Sequence, residues 1–169
     1  MELIEITAFQ DQYWFLSNYY PAPVVYHGIT YPSNEVAFQA QIGKDRRSFP
    51  RNDYELQEQF SSLSPGDARR FGQSIPLRHD WEKAKVSVMR NLVHEKFSQH
   101  PELSDRLCAT GNVILIEGNT WNDKTWGMVQ ASDGTWHGQN LLGRILMEER
   151  ERQQELKQER SMHDSLSRK

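Results

Sequence analysis

The chain has 169 residues, a mass of 19.8 kDa and a formal net charge of −3 with histidine neutral. Its length suits one domain, because a single core typically serves roughly 100–200 residues. The chain contains 20 Lys and Arg residues and 23 Asp and Glu residues, so it has no excess of positive charge that would attract polyanions. The single cysteine, Cys108, excludes an internal disulfide. The first five residues lack the basic start and apolar stretch of a secretory signal, and no run of about 18 apolar residues is present. We therefore expect a cytoplasmic protein that binds no membrane.

Four short strands are predicted. Residues 2–9 carry a weak strand pattern, and Val24–Tyr26 and Ile29–Tyr31 are β-rich runs on either side of a two-residue turn. Gly28 can take the positive φ that a tight hairpin turn needs. Four consecutive apolar residues, 113–116, predict a buried strand.

Helices are predicted from their caps and from apolar periodicity. Ser33, Ser64 and Asp80 are suitable N-cap residues, and Gly111 is a suitable C-terminal stop. The predicted helices span residues 34–44, 52–63, 64–71, 81–99, a segment from Pro101 to Gly111, and a segment from about Gly138 onward. Helices and a few strands without a βαβ rhythm predict an α+β fold, predominantly helical, with a small sheet.

The C-terminal segment differs in composition from the rest of the chain. Between Glu148 and Lys169 three residues are apolar and twelve are charged. Such a stretch buries too little apolar surface to join a core. We expect a helix that runs into solvent until about Arg160 and a frayed tail beyond it, so that residues 1–150 form the domain and 151–169 an extension.

Common cofactor motifs are missing. Residues 43–45, Gly-Lys-Asp, lack the neighbours of a phosphate-binding loop, and no G-x-G-x-x-G follows a predicted strand. His94-Glu95 lacks the second histidine of H-E-x-x-H. We therefore expect neither a metal nor another cofactor.

Glu35 is the most interesting acidic residue, because it falls in the first turn of a predicted helix among aromatic side chains. One interpretation is that it complements the helix dipole, an effect of about 0.3–1 kcal/mol. The other is that it faces an aromatic cleft and acts as a base or as a charge stabiliser. The spacing alone does not separate the two.

Two further clusters follow the predicted strand at 113–116. Residues 117–127 contain polar side chains and two tryptophans, which fits either a site on a rigid scaffold or a surface loop pinned by the tryptophans. Residues 138–147 fit either a helix start whose N–H groups receive a phosphate or a close helix packing through glycine. Both interpretations stay open for each cluster.

Two small basic clusters are also present and are either phosphate contacts or solvated side chains near helix ends. Their members are Lys44, Arg46, Arg47 and Arg51 in the first, and Arg78, Lys83 and Lys85 in the second.

Taken together, these motifs resemble the NADAR (YbiA-like) family. Members typically show F-x-S-N-[FY]-x-P, [YW]-P-[ST]-x-E-x-x-[YF]-Q-A, P-L-R-x-D-W, E-x-N-x-W-x-D-x-x-W-G and G-x-N-x-L-G-x-x-L-M. All five occur here in order, at Phe15–Pro21, Tyr31–Ala40, Pro76–Trp81, Glu117–Gly127 and Gly138–Met147. The chain departs from many relatives at Val36, where histidine is common, and at Gln73, where arginine is common.

The resemblance implies an N-glycosidase that acts on an ADP-ribose-related or ribosyl-phosphate compound, such as ADP-ribosylated guanine or a riboflavin-pathway intermediate, and it places the family's catalytic glutamate at Glu35. ADP-ribosylated nucleic acid stays open as a substrate. Asp123 is a second candidate carboxylate. Other residues are candidates for substrate binding, by stacking on the base, holding hydroxyl groups or meeting a phosphate: Asn18, Tyr19, Arg78, Trp121, Trp126 and Asn140. The alternative function is a non-hydrolytic ADP-ribose or nucleotide-binding module, and a third is an interaction protein acting through the charged C-terminal helix. The leaving base and the oligomeric state stay open.

Overall fold

The computed structural model describes residues 4–43 and 50–168, with the side chains of 50–53 outside that description. It is about 55% helical with small two-stranded sheets, which confirms the predicted α+β class. The strands are β1 (Glu5–Ile6), β2 (Val24–Tyr26), β3 (Ile29–Tyr31), β4 (Ile114–Leu115), β5 (Val129–Gln130) and β6 (Trp136–His137). The helices are a 3-10 helix (Asp11–Leu16), α1 (Asn34–Ala40), α2 (Pro50–Phe60), α3 (Pro65–Ser74), α4 (Trp81–Gln99), α5 (Pro101–Ala109) and α6 (Leu141–Ser167).

The contacts within the chain divide it into two compact units. Ser17–His100 forms the first, called the central unit here. Met1–Leu16 and Pro101–Lys169 form the second, called the terminal unit.

The predicted hairpin is present in the central unit. Strands β2 and β3 pair antiparallel, with Val24 opposite Tyr31. His27 and Gly28 have φ angles of 48° and 81°, the two positive values that a type I′ turn requires. The side-chain amide of Gln99 exchanges two hydrogen bonds with the backbone of Val25, at 2.8 and 2.9 Å, and so ties the hairpin to α4.

Helix α1 begins where predicted and ends earlier. The Ser33 hydroxyl accepts a hydrogen bond from the Val36 N–H at 3.3 Å, which confirms the predicted cap. The helix ends at Ala40, and Lys44, the predicted end, lies outside the described residues. All seven residues of α1 are buried, since the helix packs against α2, α3 and α4. A helix buried on every side has no single apolar stripe, which explains its poor periodicity.

The caps of the next two helices differ. Ser64 caps α3 as predicted, accepting from the Asp67 N–H at 3.2 Å, with Pro65 following it. Asp80 precedes α4 but makes no side-chain capping bond, because its carboxylate accepts two hydrogen bonds from Arg78 instead. Asp80 is therefore the N-cap residue of α4, as predicted, but its side chain does not cap the helix, and α4 has the predicted bounds.

In the terminal unit, the strand predicted at 113–116 is shorter and less buried than expected. Only Ile114 and Leu115 are in strand conformation, paired parallel with β1. Leu115 is fully buried, whereas Ile114 is 51% exposed, because alternate residues of a strand face opposite sides. The hairpin β5–β6 was missed by sequence, since its strands have two residues each.

Helix α6 begins at Leu141, not near Gly138, and it continues to Ser167, so the predicted frayed tail after Arg160 is helical. The first part of α6 beyond residue 148 is not fully solvated, because two of its side chains bind other segments of the terminal unit. Arg150 donates to the Val113 carbonyl at 2.9 Å, and Gln153 accepts from the Ser104 hydroxyl at 2.9 Å. From position 158 onward every described residue is exposed.

Within residues 4–43 and 50–168, no helix combines the length and the apolar character needed to cross a bilayer.

Candidate active site

Glu35 is the second residue of α1, and both its backbone and its side chain make hydrogen bonds within the central unit. Its backbone N–H donates to the Asn18 carbonyl at 2.9 Å. Its side chain accepts at Oε1 from the Gln39 amide, one turn later, at 2.9 Å. The residue is 9% exposed, so its carboxylate does not lie in bulk water. Because charge interactions strengthen where water is excluded, a carboxylate in this position can stabilise a cation strongly.

Asn18 and Tyr19 lie on the segment that binds the Glu35 backbone. Asn18 is buried, and its amide nitrogen lies 3.5 Å from the Met89 sulfur. Tyr19 is 40% exposed, and its backbone N–H donates to the Ser17 hydroxyl at 3.1 Å. The structure therefore brings Asn18 and Glu35 together and leaves the Tyr19 ring accessible for stacking.

Lys96 supports the same segment and was missed by sequence reasoning. It is 1% exposed, and its ammonium donates to the Ser17 carbonyl at 2.9 Å. The ammonium also lies 5.6 Å from the centre of the Tyr20 ring. Burial lowers the pKa of Lys96 to about 7. A sequence signal existed, since Lys96 continues the apolar stripe of Met89 and Val93 at helical spacing.

A second buried polar residue, Asn34, directly precedes Glu35. It is 1% exposed, and neither atom of its amide makes a hydrogen bond to a described residue. Buried amides are nearly always paired, so this residue is an exception within α1.

The Arg78 guanidinium is bound to a neighbour. It donates to both carboxylate oxygens of Asp80, at 2.6 and 2.8 Å, and these bonds lower the pKa of Asp80. Arg78 is partly exposed, so a phosphate would compete with Asp80 for it. In the same cluster Lys85 pairs with Glu82 at 2.5 Å. Of the first basic cluster, Lys44, Arg46, Arg47 and the Arg51 side chain lie outside the described residues.

In the terminal unit, the loop 117–127 is braced by its own side chains. The Asn119 amide accepts from the Asp123 N–H at 2.9 Å and donates to the Asp123 carbonyl at 2.8 Å. Asp123 Oδ1 in turn accepts from the N–H groups of Thr125 and Trp126, at 3.0 and 2.9 Å. Trp126 is half-buried, whereas Trp121 is 62% exposed. Asn119, which sequence reasoning passed over, thus sets the position of Asp123.

Asn140 also has a bracing role. It adopts the left-handed conformation, with φ at 52°, and its amide accepts from the Glu117 N–H at 3.0 Å and donates to the Leu115 carbonyl at 2.9 Å. Both ends of the side chain are therefore bound to the backbone. This arrangement fixes the end of β4 against the start of α6.

The helix start at 138–147 does not offer N–H groups to a phosphate as one interpretation expected. The N–H groups of residues 139–142 donate to carbonyls of the loop at 124–127. The loop carbonyls themselves thus satisfy the first donors of α6. Gln139 donates to Lys124, Asn140 to Gly127, Leu141 to Thr125 and Leu142 to Trp126.

The central unit also contains a cavity of about 250 Å³ between the hairpin and α4. None of the predicted site residues lines it. Its lining consists of Val25, Tyr26, His27, Asn91, His94 and Glu95. Among the described residues, no group of three or more His, Cys, Asp and Glu is placed to hold a metal.

Comparison with known proteins decides the family. The NADAR domain matches residues 6–154. The chain belongs to the NADAR family. The N-glycosidase YbiA of Escherichia coli is 38% identical over 152 residues, 88% of this chain and 87% of that protein. The NMR structure of E. coli YbiA matches with a TM-score of 0.72 at 37% identity, covering 93% of this chain and 88% of the other.

A longer relative also matches. The riboflavin biosynthesis protein VVA0006 of Vibrio vulnificus is 38% identical over 148 residues, 86% of this chain, and the aligned region spans 37% of the length of that protein. The predicted family is thus confirmed, and the YbiA structure supports the predicted fold class.

Proposed function

We propose that this NADAR protein hydrolyses the C1′–N bond of an ADP-ribose-related or ribosyl-phosphate compound, with Glu35 as its catalytic carboxylate. The observation that carries the proposal is the placement of Glu35, which is buried in the first turn of α1 and bound through both its backbone and its side chain.

The predicted enzyme class, a hydrolase of N-glycosyl bonds, is confirmed by the NADAR match and by relatives that are named N-glycosidases. The family supports a small, nucleotide-like substrate. The name of the Vibrio relative supports a riboflavin-pathway intermediate as one candidate, and ADP-ribosylated guanine is the other candidate.

The proposed chemistry suits a buried carboxylate. Breaking a C1′–N bond builds positive charge on the sugar ring, so the transition state resembles an oxocarbenium ion. A carboxylate beside C1′ stabilises this charge, or it takes a proton from the attacking water. Both roles require an ionised carboxylate, and Glu35 Oε1 accepts a hydrogen bond from the Gln39 amide.

The other proposed contributors act on the substrate. Asn18 holds a hydroxyl group, and Tyr19 stacks on the base, a contact worth roughly 1–3 kcal/mol. Arg78 meets a phosphate by exchanging its bonds to Asp80. Asp123 orients water or ribose hydroxyls.

The tryptophans and Asn140 complete the proposal. Trp121, with its exposed ring, and Trp126 also stack on the base. For Asn140 we now propose an indirect role, because its amide is bound to the backbone at Leu115 and Glu117.

The decisive experiment is Glu35→Gln, assayed on ADP-ribosylated guanosine, NAD, ADP-ribose and a riboflavin-pathway ribosyl phosphate with chromatographic detection of the released base. We expect the turnover of the cleaved compound to fall roughly 10²–10⁴-fold with the fold intact, the usual size for a lost acid–base group.

The matched control is Glu149→Gln. Glu149 is also buried, and it also accepts from a glutamine four residues later, Gln153, at 2.6 Å. It lies in the terminal unit and should keep full turnover. Near-full activity of Glu35→Gln would remove Glu35 from the mechanism. Tight ADP-ribose binding by the wild type without any base release would favour the binding module instead.

A further inference from the structure

Two residues outside the proposed catalytic set follow one another behind the Glu35 side chain: Gln39 contacts Glu35, and Gly72 contacts Gln39. Gln39 is 8% exposed, and its amide nitrogen donates to Glu35 Oε1 at 2.9 Å. Gly72 lies on α3, the helix that packs against α1. A Cβ added at Gly72 would overlap Gln39 Oε1 and would lie 3.4 Å from its Cδ and 3.6 Å from its Cβ.

A glycine near the end of α3 has a cost that needs a reason. In a helix interior glycine is about 1 kcal/mol less favourable than alanine. Gly72 is buried and has no positive φ, so backbone conformation does not require it. What requires it is the space that the Gln39 amide occupies. Gly66, on the same helix, has only the flexible end of Arg70 near its Cβ position, at 3.8 Å.

We propose that Gln39 is the positioning residue of the catalytic carboxylate and that Gly72 is glycine in order to let the Gln39 amide reach it. This inference rests on the proposed role of Glu35. With its oxygen against Gly72, the Gln39 amide presents its nitrogen to Glu35. It thereby fixes the rotamer of the carboxylate and stabilises its charged form.

The first test replaces each of the two residues. Gln39→Met keeps the length of the side chain and removes the donor, and we expect kcat to fall roughly 10- to 100-fold, the equivalent of one hydrogen bond to a charged group. KM should change less than about threefold, since a positioning residue acts through the carboxylate and not on the substrate itself. The acid limb of the kcat/KM profile should move to higher pH, because the charged carboxylate has lost its donor. Gly72→Ala displaces the amide without changing its chemistry and should act in the same direction.

The second test is a double-mutant cycle. If Gly72 acts through Gln39, the double variant Gly72→Ala/Gln39→Met should have the kcat of Gln39→Met alone. If the kcat losses of the two single variants multiplied in the double variant, the proposal would be overturned. An unchanged kcat and acid limb in both single variants would also overturn it.

Two controls separate this role from packing. Gly66→Ala makes the same substitution on the same helix and should leave kcat unchanged. Gln153→Met removes the equivalent donor to Glu149 and should lower the melting temperature without lowering kcat in the folded protein. All assays use the panel compound that the wild type hydrolyses, at a temperature where every variant is folded.

A readout without substrate completes the design. In ¹⁵N-labelled protein, the side-chain amide signals of Gln39 should shift in Glu35→Gln and in Gly72→Ala, and stay in place in Gly66→Ala. Absence of a shift in Glu35→Gln would contradict the contact. If instead Glu35→Gln kept its turnover, the proposed function itself would fail. If Glu35→Gln lost turnover while the Gln39 and Gly72 variants kept theirs, only the positioning role would fail.

Discussion

The two units contain the same local arrangement in different settings: a buried glutamate that accepts from a glutamine four residues later. In the central unit these are Glu35 and Gln39, and in the terminal unit Glu149 and Gln153. Gln153 also accepts from Ser104 of α5, so its pair is part of a network that joins two helices. The oxygen of Gln39 faces a glycine instead.

This difference shows that an i, i+4 pair has no function of its own. The Glu149 pair lies in the middle of a long helix, where its bonds hold α6 to α5. The Glu35 pair lies in the first turn of a seven-residue helix, beside the segment of Asn18 and Tyr19. What surrounds the pair decides whether it serves packing or chemistry.

The helix glycines extend the comparison and give the largest expected effect. A Cβ at Gly143 in the terminal unit would overlap the Leu115 carbonyl and the Asn140 amide. The carbonyl is backbone and cannot move away, and a displaced Asn140 would lose its hydrogen bonds to the Leu115 carbonyl and the Glu117 N–H. We expect Gly143→Ala to lower the free energy of unfolding by about 4 kcal/mol or more, as the sum of overpacking and lost hydrogen bonds.

Gly72→Ala should cost less than about 2 kcal/mol, because it meets a side chain that can rotate. Urea denaturation of Gly143→Ala, Gly72→Ala and the control Gly66→Ala measures all three. If Gly143→Ala and Gly72→Ala lost the same free energy of unfolding, the Gln39 amide would be held as rigidly as the backbone. The expected difference between a glycine that faces backbone and one that faces a side chain would then be wrong.

Local signals in the sequence predicted part of this architecture. The turn at Gly28 and the cap at Ser33 depend on residues adjacent in sequence, and both are confirmed. The bounds of α4 followed from a long apolar stripe. Asp80 occupies the predicted N-cap position but makes no side-chain capping bond, because Arg78, two positions away, binds the same carboxylate.

The parts that sequence could not predict depend on contacts between distant segments. The start of α6 was misplaced because its first donors bind the loop at 124–127. For the candidate site, the motif indicated Glu35, but nothing local indicates that Gln39 needs a glycine 33 positions later. Lys96 was visible as a charge within an apolar stripe, but its partner at Ser17 lies 79 positions away.

Buried cations give the next prediction. Burial lowers the pKa of Lys96 to about 7, well below its usual value of 10.5. The folded state therefore binds fewer protons than the unfolded state between these two values, and wild-type stability contains a penalty that is complete below pH 7 and is relieved as the pH rises. We expect the free energy of unfolding of Lys96→Met, relative to that of the wild type, to be higher at pH 6 than at pH 9, because the variant lacks the group whose buried charge is most unfavourable below pH 7.

The control for Lys96→Met is Arg150→Met in the terminal unit. Arg150 is also buried and donates to the Val113 carbonyl, but a guanidinium keeps its proton throughout this range. In thermal unfolding, the difference in stability between Arg150→Met and the wild type should be the same at pH 6 and at pH 9. A pH-independent difference for Lys96→Met would show that the lysine stays charged in the folded protein.

The smallest expected effect concerns two helix starts in the central unit. Ser64 accepts from the Asp67 N–H and donates to its carboxylate at 2.7 Å, so Ser64→Ala should cost about 1 kcal/mol. Asp80 makes no capping bond, and its partner Arg78 is partly exposed, so Asp80→Ala should leave the urea midpoint close to that of the wild type. It should also lower the KM of a phosphorylated substrate, because Arg78 loses a competitor. A destabilisation at Asp80 as large as that at Ser64 would mean that the carboxylate caps α4 in solution.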